Sequence, residues 1–102
     1  MNIVEKINSL KLIQKKYWED IEFPEEIQSV LDKCEIVETD LDVDKHRWYE
    51  TSLVVYKLND EYFGIRYVTD TFSESSSIED MYWQICAIPM KQVQKITYEK
   101  FK

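Results

Sequence analysis

At 102 residues the chain has the size of one domain, spanning 1–102, and its 44% hydrophobic and 14% aromatic content excludes a disordered segment despite 32% charged residues. A single glycine and two prolines exclude a Gly-rich phosphate loop, a collagenous repeat and a flexible linker. The net charge of −7 is regional: residues 1–18 carry +3, residues 19–50 hold twelve acids against three bases, and residues 51–102 carry −1, a pattern that disfavours direct nucleic-acid binding.

In chain order, Asn2 with Glu5 three residues on forms a capping-box-like pair at the start of a helix. Ile3, Ile7, Leu10, Ile13, Tyr17 and Ile21 follow one face, which predicts a helix of about five turns, with Ser9 as a second start if the segment is broken. Phe23-Pro24 ends that segment, because the residue before proline avoids the α region. Pro24, Glu25 and Glu26 suit the first turn of a second helix, where carboxylates complement the helix dipole. Ile27, Val30, Leu31 and Cys34 form its apolar stripe.

From Glu35 the period becomes two. A strand over 35–43 places Leu41 and Val43 on one side and Asp40, Asp42 and Asp44 on the other. A turn at Asp44-Lys45-His46 leads to a strand over 47–58, and Asn59-Asp60-Glu61 joins it to another over 62–69. Gly64 inside that strand predicts a bulge. Ser73–Asp80 reads as a loop whose end can form one helical turn. Apolar alternation returns over 81–88, Pro89 marks a strand end or edge, and a last short strand is expected over 94–99. The fold class is α+β: N-terminal helices packed on an antiparallel β-meander of four or five strands.

Cys34 and Cys86 are too few and too far apart for a zinc site or disulfide framework, and both are expected as buried reduced thiols. Met1-Asn2-Ile3 opens no signal peptide and no apolar run spans a bilayer, so a soluble intracellular protein without a membrane is expected. Asp40-x-Asp42-x-Asp44 is the one metal-like motif. An EF-hand loop would continue with glycine where this chain has Lys45, and end on glutamate where it has Thr51, so no metal and no cofactor is expected. His46, the single histidine, has no identifiable nucleophile or carboxylate set, and no hydrolase or nucleotide-binding motif occurs. A non-enzymatic protein is expected.

The acid-rich span therefore carries the functional expectation. Glu19, Asp20, Glu22, Glu25, Glu26, Asp40, Asp42 and Asp44 would meet lysines and arginines of a partner, with Trp18 and Trp48 as exposed apolar anchors. Same-face carboxylates in a strand recur every ~6.7 Å, whereas one DNA strand presents a charge per ~3.4 Å of axis. An aspartate ladder alone is too sparse to imitate a phosphate backbone and needs the helical acids beside it.

The C-terminal half supplies a further indication. Its tyrosine-bearing strand with Tyr56, the hairpin strand with Gly64, Ser73-Glu74-Ser75 and the pair Glu79-Asp80 resemble small accessory proteins encoded by phages and prophages of Gram-positive bacteria. That resemblance implies a protein acting in the cytoplasm of the bacterial host. The implied role is to bind and inhibit a host factor, a bacterial nuclease or other nucleic-acid-binding protein, as anti-CRISPR proteins do with a CRISPR nuclease complex. It carries over no functional residue. The alternative is a structural or regulatory interaction module, a homodimer joined through an exposed strand edge.

Overall fold

A computed structural model describes residues 2–72 and 77–92. Helix α1 spans Ile3–Leu10, where Asn2 Oδ1 accepts the Glu5 N–H at 2.9 Å and so satisfies one free donor of the first turn. It stops well short of five turns. Lys11 adopts the left-handed conformation (φ 49°) and its N–H returns to the Asn8 carbonyl, which closes the helix. Beyond it the helical periodicity is not used: Ile13 and Tyr17 are exposed, while the polar Gln14 between them is fully buried. A short 3₁₀ turn, Trp18–Asp20, precedes α2, Glu25–Leu31, which Pro24 caps.

Among the described residues four strands form one antiparallel meander in chain order: β1 Glu35–Lys45, β2 Tyr49–Leu58, β3 Glu61–Thr71 and β4 Cys86–Met90. The fold is α+β, as the periodicities predict. The β2–β3 hairpin turns on two residues, Asn59 and Asp60, with Glu61 already in β3 opposite Leu58. Asn59 takes the positive φ (56°) that asparagine tolerates. The span expected as a strand over 81–88 instead begins as one helical turn, α3 (Ile78–Met81), and becomes a strand only at Cys86. The strand expected over 94–99 lies outside the described residues.

Alternate residues of β2 and β3 (Val54, Tyr56, Phe63, Ile65, Tyr67), with Ile85 and Ala87, meet Ile7 of α1 and Ile27 of α2 in the core. Burying each valine, isoleucine or phenylalanine among them contributes about 1.5–3 kcal/mol. On the other face, Leu53, Ile88 and Met90 close over Gly64. The register through Gly64 is regular, Val55 and Ile88 being its partners, so the expected bulge is absent. Glycine serves close approach there, since a Cβ would stand 2.6 Å from Met90 Sδ. Cys86 also corrects an expectation: alternation turns it to solvent, whereas Cys34 is half-buried.

The two sheet edges are treated differently. Asn8 closes the outer edge of β4 by donating from Nδ2 to the Ala87 carbonyl and accepting the Ala87 N–H on Oδ1, both at 2.8 Å. Residues 12–14 pair with 83–85 just beyond, through Gln14 N–H to Trp83 O and Ile85 N–H to Leu12 O. Gln14 then reaches β3, where its amide both accepts from and donates to the Val68 backbone. The outer edge of β1, by contrast, pairs with nothing among the described residues.

Candidate functional site

Strand β1 is exposed along almost its whole length, with only Leu41 half-buried. Three register shifts against β2, between Ile36 and Glu38, Glu38 and Leu41, and Leu41 and Asp44, break its alternation. Asp40 (φ 56°) and Asp42 (φ 50°) stand in the left-handed region. Aspartate tolerates that region better than the β-branched residues that favour strands. The expected two-sided pattern, Leu41 and Val43 on one face and three aspartates on the other, is broken by the shift between Leu41 and Asp44, and Val43 is 45% exposed. Bulges and charge are also the usual means of keeping an open edge from indiscriminate pairing.

The bulges change the charge spacing. Glu38 to Asp44 occupy the length of β2 between Val55 and Thr51, which is four strand steps or about 14 Å. The backbone positions of Glu38, Asp40, Asp42 and Asp44 thus average ~4.5 Å apart along the strand axis, nearer to the ~3.4 Å of a phosphate strand than the ~6.7 Å of a regular strand face. Asp42 is partly neutralised, because Arg66 reaches from β3 across β2 to donate from Nη2 to its Oδ2 at 2.6 Å. The same guanidinium meets the Asp42 carbonyl and Thr51 Oγ1, so it also pins the bulged strand to the sheet. Asp44 Oδ2 lies 3.3 Å from Nε2 of His46, whose ring stacks on Tyr49.

The acids of the first half occupy a different place. Glu19 and Asp20 sit on the 3₁₀ turn, Glu22 on the connection after it, and Glu25 and Glu26 on the first turn of α2, all exposed. Glu26 pairs with Lys6 of α1 at 3.4 Å. Among the described residues Glu19, Asp20, Glu22, Glu25 and Asp40 form no ion pair. Glu19 lies toward the start of β1: with Asp32 it shares a cavity with Ile36, which stands opposite Tyr56. Asp44 stands opposite Thr51, five steps or about 17 Å along β2. Glu19 and Asp32 thus stand at one end of β1 and Asp44 at the other.

Trp48 is 49% exposed, with the Arg47 guanidinium 4.6 Å over its ring. Trp18 is not the free anchor the sequence suggests. It is half-buried, its ring stacked on Tyr67 at 5.9 Å, and it forms a wall of a cavity of about 200 Å³ with Phe23, Ile36 and Tyr56. Glu35, Glu38 and Asp32 join the candidate site although no motif singles them out. Their signal was present, since all three stand inside the acid-rich span.

Two further features are chemically quiet. The hydroxyls of Tyr56 and Tyr67 share a hydrogen bond of 2.9 Å, and burial raises the pKa of both, holding them neutral at physiological pH. Burial also raises the Cys34 thiol, which donates to the Val30 carbonyl, the opposite of the setting that makes a reactive thiolate. Among the described residues no group of three His, Cys, Asp or Glu side chains gathers as for a metal ion, and no helix is long and apolar enough to cross a membrane.

Comparison with protein-family models, with curated proteins and with solved structures gives no match.

Proposed function

We propose that this protein is a non-catalytic inhibitor that sets the acidic edge of β1 into the basic groove of a bacterial nucleic-acid-handling protein. The observation that carries the reading is the bulge-shortened row of Glu38, Asp40, Asp42 and Asp44 on an edge open among the described residues. A basic groove built for phosphates meets there a comparable run of anionic charge, and opposite fields steer encounter and fix register. Exposed Ile36, Val37 and Val43 on the same strand supply apolar contact between the charges. Glu35 extends the row at one end, and Glu19 shares a cavity with Ile36 there.

The resemblance to phage accessory proteins directs the first trial partner to a CRISPR nuclease complex. Self-association through β1 is the weaker reading: the strand holds five acids against Lys45, and pairing two such edges would oppose like charges. Target-DNA cleavage by the nuclease complex, measured with increasing amounts of the protein, is the test. Wild type is expected to inhibit, and E38Q/D40N/D44N, which keeps side-chain size and tolerance of positive φ, to lose most of that inhibition. Equal inhibition by the variant would remove the carboxylate mechanism.

A further inference from the structure

We infer that the cavity between the 3₁₀ turn, α2 and the start of β1 is a receptor for one cationic side chain, arginine or lysine, of a basic partner. This rests on the partner being basic but not on its identity. The cavity holds about 200 Å³, and Trp18, Phe23 and Tyr56 give it aromatic walls. Glu19 and Asp32 also line it, no basic residue does, and neither carboxylate is in an ion pair among the described residues.

Asp32 is held in place by its neighbours. Gln28 donates from Nε2 to Asp32 Oδ1 at 2.8 Å, while Gln28 Oε1 faces the Phe23 N–H at 3.4 Å. Among the described residues Asp32 Oδ2 takes part in no hydrogen bond.

The lining selects by charge and shape together. An anion would face two carboxylates. A neutral apolar group would fill the walls but strip water from Glu19 and Asp32 with nothing in return. An alkyl cation satisfies both, its stem against the aromatic and aliphatic walls and its head on the carboxylates, with added attraction to the ring faces. Planar guanidinium stacks better on such walls than ammonium. Filling the cavity beside the acidic edge would give the docked surface one buried anchor within a field of charge.

The test is titration of the intact protein, followed by NMR at the Trp18 indole N–H and the Asp32 and Ile36 amides. The probes are n-butylguanidinium, n-butylammonium and neutral butyramide. Saturable shifts with the cations and not with the amide are expected, with guanidinium stronger for an arginine receptor and ammonium stronger for a lysine receptor. E19Q/D32N, altered at two exposed positions, should bind the cations roughly fivefold more weakly, the size expected for two exposed ion pairs. Shifts from butyramide equal to those from the cations, no shifts from either cation, or unaltered cation binding by E19Q/D32N would overturn the assignment. Cation binding by a protein that fails to inhibit any nuclease would leave the receptor standing and remove the proposed target.

Discussion

Gln14 shows how one side chain can take the place of a strand. It is fully buried, yet its amide has partners at both ends: Nε2 donates to the carbonyls of Lys16 and Val68, and Oε1 accepts the Val68 N–H. Q14L keeps the volume but leaves the Val68 backbone groups unpaired, so an unfolding loss of about 2–4 kcal/mol is expected from denaturant titration. Within helical periodicity Gln14 reads as a polar residue on a solvated side. Its role depends on where β4 ends, which no local pattern reports. The tyrosine pair makes a prediction in pH. Burial raises both folded pKa values above the unfolded value of about 10, so the protonated pair favours the folded state. Its contribution is complete below about pH 10 and is lost as the pH rises through the folded values. Urea midpoints should therefore fall on the alkaline side of that value, and Y67F, at a cost of about 1 kcal/mol for the lost hydrogen bond, should fall less steeply. An unchanged alkaline slope in Y67F would show that the pair is not responsible.

At the scale of elements, the β2–β3 hairpin and α2 are legible because their apolar spacing coincides with what they bury. Val54, Tyr56, Phe63, Ile65 and Tyr67 alternate as read, and Ile27 leads the expected stripe into the core. Helix α1 is misjudged in length because Ile13, Tyr17 and Ile21 keep the helical period after the backbone has left it at Lys11. Strand β1 is identified correctly as a strand and wrongly as a regular one. Its bulges arise from long-range register against β2, for which the alternating aspartates give no sign. The strain at Asp40 is testable. D40G removes the Cβ cost of a positive φ and should stabilise by up to about 1 kcal/mol, whereas D40V, β-branched, should destabilise by at least about 1 kcal/mol. Thermal midpoints moving together in the two variants would contradict the left-handed conformation at this position.

For the whole molecule, the net −7 is visible at once and its arrangement is not. Composition locates the acids in residues 19–50. The fold then divides them between the 3₁₀ turn with α2 and the edge of β1, and pairs Glu26 with Lys6 and Asp42 with Arg66. Those two pairs subtract from the surface a partner would meet, and the bulges add to it by drawing the remaining carboxylates closer. Their balance sets the strength of docking and is read from measurements in solution. The most direct is the dissociation constant for the nuclease complex across a series of salt concentrations, for wild type and E38Q/D40N/D44N. Wild-type binding is expected to weaken steeply with salt, and binding by the variant to be weaker with a flatter dependence. Salt-insensitive binding, or identical slopes for the two proteins, would contradict the carboxylate mechanism.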